Sequence, residues 1–457
     1  MPWLKESVPA APSPRLCMAD LTTNFAGGIR CPNPFWLASG PPANCADQVM
    51  RAFDAGWGGA VWKTIGEPIV NTTSRYSSVD WNGQRMMGLN NIELISDRPI
   101  EVNLREIAEV KKRYPHHAVI ASLMVDSKRE TWHDIVRRAE DAGSDGLELN
   151  FGCPHGMSER GMGSAVGQVP EYACMITEWV KEVARTPVLV KLTPNISDIR
   201  TTARAASKAR ADGLSAINTI NSITGIDLDT LQPRPNVDGL SAHGGYCGPA
   251  VKPIALHMVQ QIAADPEVRL PISGIGGVSS WREAAEFILL GCGTVQVCTA
   301  AMHYGFRIVE DMIDGLSNWM DEKGFATIED FKGKSLPRVT EWKHLNLNYK
   351  IVARIHPDKC IGCELCYTAC WDGAHQCIYV HARPDGIAAT PVTKAAQLAL
   401  NPMQTPPHRI PWVDENECVG CNLCWLVCPV DGCITMDEVP TGLPKQSWDM
   451  LQLVPTK

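Results

Sequence analysis

The sequence predicts an α/β protein, a (β/α)8 TIM barrel followed by a small cysteine-rich domain, on three observations. Eight short, apolar, β-rich runs alternate with amphipathic helical stretches through the first 345 residues. Ten of the 18 cysteines fall in the last 112 residues, while the other eight are scattered singly. The length of 457 residues leaves room for two or three domains at roughly 100 to 200 residues each. The expected division is an N-terminal extension over 1–20, the barrel over 21–345 and the cysteine-rich domain over 346–457.

The extension, MPWLKESVPAAPSPRL, has no apolar stretch long enough for a secretion signal. No window approaches the roughly 18 apolar residues of a membrane span. A cytoplasmic protein with reduced or metal-bound thiols is expected. A net charge of -8 disfavours nucleic acid as a partner, since no general phosphate-binding footprint exists.

A hairpin is expected first, in LTTNFAGGIRCPNPF, with Gly27 and Gly28 at its turn. The barrel strands are then expected at Phe35–Ser39, Ala60–Thr64, Ala118–Met124, Leu147–Asn150, Val188–Leu192, Leu214–Thr219, Ile272–Gly274 and Thr294–Cys298. Segments such as DQVMRAFDAG and SWREAAEFILLG supply the helices, several ending at Gly as a C-cap would. A barrel carries its chemistry at the carboxyl ends of its strands. Those ends hold Ser39, Gly40, Lys63, Thr64, Asn150, Lys191, Asn218, Thr219, Gly274 and Thr299. Any one of these is ordinary alone, but an apolar core rarely gathers two Lys without a ligand.

The cysteines carry the strongest signal. Cys360, Cys363, Cys366 and Cys370, then Cys418, Cys421, Cys424 and Cys428, repeat the spacing C-x2-C-x2-C-x3-C, which ligates cubane clusters in two-cluster ferredoxins. A ferredoxin-like domain with two [4Fe-4S] clusters follows. Zinc sites more often use two separated pairs of ligands. In such loops the first three thiolates wrap one cluster while the fourth, starting a short helix, points at the other. The expected sets are Cys360, Cys363 and Cys366 with Cys428, and Cys418, Cys421 and Cys424 with Cys370. Two departures are Trp371, where Pro is usual, and the Pro-rich insert between the runs, read as a surface excursion. Cys377 and Cys433 are read as buried structural thiols.

Two clusters form an electron wire that needs a donor and an acceptor. After the seventh strand, PISGIGGVSS places Gly276 and Gly277 before a helix, and QVCTAAM places Thr299 and Ala300 after the eighth. Backbone N–H groups of these loops suit a phosphate. Beside an iron–sulfur wire, the phosphorylated redox cofactor is expected to be FMN, which exchanges both hydrides and single electrons. No dinucleotide fingerprint G-x-G-x-x-G accompanies it, so electrons from a nicotinamide are expected to arrive through another subunit.

The loop after the fourth strand, LELNFGCPHGMSERGMGSAVGQ, carries Cys153 three residues beyond Asn150. Cys153 could simply be a small buried residue. A thiol also stays protonated at neutral pH and can give a proton to a carbanion beside a carbonyl, which suits reduction of a carbon–carbon double bond.

With these segments in view, the chain resembles the barrel-plus-ferredoxin subunits of bacterial NAD-dependent dihydropyrimidine dehydrogenases, which are akin to dihydroorotate dehydrogenases. The matching stretches are KT at Lys63, NNIELIS from Asn90, LELNFGCPHGM from Leu147, KLTPN from Lys191, INT from Ile217, SGIGG from Ser273, QVCTA from Gln296 and both cysteine runs. The resemblance implies that uracil or thymine stacks on FMN and is bound by Asn91, Asn150, Asn218 and Thr219. It implies Cys153 as the general acid at pyrimidine C5, with hydride exchanged at C6. Ser39, Gly40, Lys63, Thr64, Lys191, Gly276, Gly277, Thr299 and Ala300 would hold the flavin. The implied partner is an FAD- and NAD(H)-binding iron–sulfur subunit, assembled as a homodimer of heterodimers. Gly152 departs from the family, which often has Ser there. Two rivals stand beside this reading: a dihydroorotate dehydrogenase, whose substrate carboxylate would need a Lys or Arg aimed at it, and a non-catalytic electron-transfer subunit with a vestigial barrel.

Overall fold

The computed structural model of the chain describes residues 19–380 and 410–452. Residues 1–18 of the expected extension and 381–409 of the Pro-rich insert lie outside them. The described residues form two compact units that part between Arg338 and Val339, a few residues ahead of the division expected from the sequence.

In the first unit, eight parallel strands close a barrel: β1 (Phe35–Leu37), β2 (Gly59–Val61), β3 (Ala118–Leu123), β4 (Gly146–Asn150), β5 (Val188–Lys191), β6 (Gly213–Ala216), β7 (Ile272–Ile275) and β8 (Cys292–Val297). They are hydrogen-bonded in chain order, with β8 returning to β1. These are the eight runs expected from sequence. The strands are covered on both faces, which is why β3 reads as a continuous apolar run with all six residues buried. Several strands stop earlier than their apolar runs. Ser39, Lys63, Thr64, Asn218 and Thr219 therefore lie just beyond strand ends, in the loops of the carboxyl mouth.

The opening hairpin, Thr23–Phe25 paired with Ile29–Cys31, covers the opposite end. Its Phe25 and Ile29 pack with Trp36, Val61, Ala118, Ile120 and Leu189, and the Phe25 and Trp36 rings meet edge to face at 5.5 Å. Around the barrel, the helix Ala46–Ala55 ends on Gly56 at φ +115°, a left-handed cap that only Gly adopts freely. The helix Trp281–Leu289 opens on a capping box of Ser280 and Glu283.

One element was not anticipated. Tyr76–Trp81, Gln84–Asn91, Gly244–Cys247 and Ile220–Ser222 form a four-stranded antiparallel sheet. Its tip is Asn82–Gly83, both at positive φ, the geometry of a tight hairpin turn.

The second unit is built on a repeat. Ile351–Ile355 pairs antiparallel with Ile434–Glu438, and Ile378–Tyr379 with Trp412–Val413. The cysteine loops share one backbone form, with positive φ at Gly362 and Glu364 and again at Gly420 and Asn422. The helices Leu365–Gly373 and Leu423–Val427 begin ahead of the third cysteine of each run. This corrects the expectation that the fourth cysteine starts a helix: Cys370 lies in the last turn of its helix and Cys428 caps the end of the other. The left-handed residue after the second cysteine turns the chain into helix early, so the third and fourth cysteines are separated by one helical turn. Among the described residues, no helix is long and apolar enough to cross a membrane.

Candidate functional site

A cavity sits at the carboxyl mouth of the barrel. Seven of the eight strand ends contribute through their loops, β3 being the exception. Ser39 and Gly40 follow β1, Lys63 and Thr64 follow β2, and Asn150 ends β4 with Cys153 three residues on. Lys191 ends β5, Asn218 and Thr219 follow β6, Gly276 and Gly277 follow β7, and Thr299 and Ala300 follow β8. Asn91 comes from the antiparallel sheet. The cavity thus brings together every residue expected at the barrel mouth apart from Gly274, which lies inside β7.

Two buried lysines face it, each with its own carboxylate. Lys63 Nζ lies 2.7 Å from Glu93 Oε1, and the same carboxylate accepts from Arg75 at 3.0 Å and from the Tyr76 hydroxyl at 2.6 Å. Burial, then this hydrogen bond to an anion, pushes the Tyr76 phenol well above its ordinary range. Lys191 Nζ lies 3.6 Å from Glu148 Oε1, and Glu148 is fully buried inside the barrel. There Gln296 Nε2 reaches Glu148 Oε2 at 3.2 Å, Ser215 at 3.2 Å and Ser273 at 3.1 Å.

The asparagines form a chain. Asn218 Nδ2 donates to Asn150 Oδ1 at 2.9 Å, and Asn150 Nδ2 donates to Thr64 Oγ1 at 2.9 Å. Thr64 in turn meets Ser122 and Ser39 at 3.0 and 3.1 Å. Asn150 therefore spends both ends of its amide within the protein and holds Asn218 in place. Gly152 is needed beside them, because a Cβ there would come within 2.4 Å of Asn218 Cβ.

Cys153 is buried in the cavity wall. Burial pushes its thiol up to about 11, against weaker opposing pulls from the His155 backbone and Lys191, so the group is a thiol at neutral pH. His155 beside it hydrogen-bonds the Glu93 carbonyl through Nε2. That carbonyl can only accept, so Nε2 carries the proton; burial lowers the imidazole's pKa, and Nδ1 is left without a partner. At the other end, Gly276 and Gly277 have φ of +132° and +73° and would meet Ala255 and Lys252 if they carried a Cβ. Their bare backbone, next to Thr299 and Ala300, matches what a phosphate needs. With two paired lysines facing the same cavity as this bare backbone, the residues present fit FMN.

In the second unit two smaller spaces, of about 330 and 310 Å³, are ringed by thiols. One is lined by Cys418, Cys421 and Cys424 with Cys370, the other by Cys360, Cys363 and Cys366 with Cys428. Each takes three cysteines from one run and the fourth from the other, the arrangement expected for two clusters. Cys377 joins the first set and Cys433 the second.

A sequence profile of the dihydroorotate dehydrogenase family matches residues 20–320, and one of the 4Fe-4S dicluster domain matches residues 353–436. The chain belongs to the dihydroorotate dehydrogenase family. It is 41% identical over 422 residues to the NAD-dependent dihydropyrimidine dehydrogenase subunit PreA of Escherichia coli (strain K12), covering 92% of this chain and 96% of that protein. It is 44% identical over 325 residues, 68% of this chain and 76% of the other, to the chloroplastic dihydropyrimidine dehydrogenase (NADP(+)) of Arabidopsis thaliana. The dihydroorotate dehydrogenase B (NAD(+)) catalytic subunit of Pyrococcus abyssi is 36% identical over 309 residues, 68% of this chain and 97% of that protein. The resemblance carried by the motifs is borne out, and this family member is an oxidoreductase with an iron–sulfur domain.

Sequence reasoning missed Tyr76, Glu93, Glu148, His155, Cys247 and Cys298. All but Glu148 line the cavity. A charged residue inside the apolar run LELN was the available signal for Glu148.

Two outcomes test this geometry. Alkylation of Cys153 by iodoacetamide, followed by peptide mass spectrometry, should stay slow through about pH 8.5, where an ordinary thiol is half ionised, and accelerate as pH approaches about 11. Glu93→Ala leaves Lys63 buried without its anion and should cost about 3–5 kcal/mol. Adding Lys63→Met should recover part of that loss in denaturant titrations.

Proposed function

We propose that the chain is the pyrimidine-reducing subunit of a dihydropyrimidine dehydrogenase, converting uracil or thymine reversibly to the 5,6-dihydropyrimidine. The observation that carries this reading is a buried, protonated Cys153 in one cavity with an amide-rich wall and two charge-paired lysines. FMN, when bound, supplies hydride exchange with the substrate and single-electron exchange with the clusters. Gly276, Gly277, Thr299 and Ala300 would hold its phosphate, and Ser39, Gly40, Thr64, Lys63 and Lys191 its ring system.

The chain's own residues then do three things. Asn91, Asn150, Asn218 and Thr219 offer donors and acceptors to a ring that alternates N–H and C=O, and Asn150 also orients Asn218. Cys153 delivers a proton to C5 as hydride arrives at C6, and takes it back in the reverse direction. The antiparallel sheet walls the cavity, limiting the access of water to the reacting atoms. The cysteine sets of the second unit would hold two [4Fe-4S] clusters, relaying electrons from an NADH-oxidising partner subunit that carries FAD.

Charge pairing favours a pyrimidine base over dihydroorotate. A substrate carboxylate wants an uncommitted cation, whereas Lys63 is paired with Glu93 and Lys191 with Glu148.

The chain purified anaerobically with its partner should contain FMN, iron and sulfide and should reduce uracil with NADH. Cys153→Ala should lower that turnover by about 10²–10⁴-fold, the range of a general acid, while still binding flavin. Full flavin and clusters without pyrimidine turnover would remove the proposed substrate class. Gly152→Ala, which must push Asn218 away from Asn150, should raise KM for uracil more than it lowers kcat.

A further inference from the structure

Each cluster space is lined by five cysteines, although a cubane takes four. The fifth is Cys377 in one and Cys433 in the other. Both are buried, and the two are placed alike. Each immediately precedes a buried isoleucine, Ile378 or Ile434, that enters a two-stranded ladder. Each gives its carbonyl to the turn presenting the other run's first cysteine. Asp414 N donates to Cys377 O and His356 N to Cys433 O, both at 2.8 Å. Asp414 O then accepts from Cys418 N at 3.0 Å, and His356 O from Cys360 N at 3.1 Å.

The side chains follow the same pattern. Cys377 Sγ lies 3.6 Å from Cys370 Sγ, and its backbone N–H donates to that sulfur at 3.3 Å. Cys377 also lines one space together with Cys418, and Cys433 lines the other together with Cys428 and Cys360. Each fifth thiol therefore shares its space with the fourth cysteine of one run and the first of the other, and Cys377 meets Cys370 directly. A ligating thiolate has no proton and can only accept. The donor in each pair must then be the fifth cysteine.

Resting on the ligand sets proposed above, we propose that Cys377 and Cys433 donate S–H hydrogen bonds to ligating sulfurs and thereby raise the reduction potentials of the two clusters. Reduction adds negative charge to a cluster and its sulfurs, so a donor at those sulfurs stabilises the reduced form more than the oxidised one. The two thiols act through the ligands, without binding iron, and their paired placement makes the adjustment similar at both clusters.

The test uses the full chain, purified anaerobically, with reductive titration followed by electron paramagnetic resonance and with iron and sulfide assayed in every sample. Cys377→Ala should shift one cluster to lower potential and Cys433→Ala the other, both at wild-type iron content. Cys377→Ser, which keeps a donor, should return the potential towards or above that of wild type. Unshifted potentials in fully loaded Ala variants would overturn the proposal. Iron loss in both the Ala and Ser variants would also overturn it, in favour of direct ligation. A wild-type chain without clusters would instead overturn the ligand sets themselves, an outcome the iron assay separates from the other two.

Discussion

A lysine inside a barrel is tolerated only where an anion meets it, and here two such pairs set the layout of the mouth. An unpaired buried ammonium would shed its proton or unfold its surroundings, since desolvating an ion costs several kcal/mol even after relaxation. Glu148 meets Lys191 from within the barrel wall, and Gln296, Ser215, Ser273 and Thr294 form a polar layer around that carboxylate. Glu93 meets Lys63 from outside the barrel, on the chain that leaves the antiparallel sheet after Asn91. The second pair ties sheet to barrel: Glu93 also receives Arg75 and Tyr76, and His155 fastens to its carbonyl. The Lys63 pair is thus hydrogen-bonded from several sides, whereas Glu148 Oε1 is buried without a hydrogen-bond partner and meets Lys191 as a 3.6 Å ion pair.

The barrel was legible because strands buried on both faces need apolar residues at every position, and such runs stand out against amphipathic helices. The mouth was legible for the complementary reason, since a polar residue that closes an apolar run needs a hydrogen-bonding partner or a ligand at the strand end. The antiparallel sheet was harder to see. Its strands are drawn from 76–91 and 220–247, and the pairing of Gln84–Asn91 with Gly244–Cys247 spans too much sequence for any local pattern to announce it. One half did carry a signal, since Asn82–Gly83 is the residue pair a tight hairpin demands. Tyr76 and Glu93 went unread with it, because their roles depend on where that sheet folds back.

In the iron–sulfur unit the spacing alone was enough to anticipate which thiols share a space. What spacing could not give was the second layer of the repeat. Cys377 follows Cys370 by seven residues and Cys433 follows Cys428 by five, so no common motif links them. Equivalence appears only through the backbone bonds of Asp414 and His356. Thirteen of the 18 cysteines thus divide more finely than sequence allowed, into the eight that would hold clusters, their two thiol neighbours, and Cys153, Cys247 and Cys298 of the barrel cavity.

Burial suits Cys153 to giving a proton rather than attacking a substrate. A nucleophilic cysteine needs a depressed pKa, obtained from a neighbouring cation or a helix N-terminus. Here desolvation outweighs the opposing pulls of the His155 backbone and Lys191. A thiol near 7 would be half ionised, prone to oxidation and unable to donate for half of its lifetime. One pushed up to about 11 is always loaded, and it can still release its proton to a carbanion, which is far more basic than any thiolate.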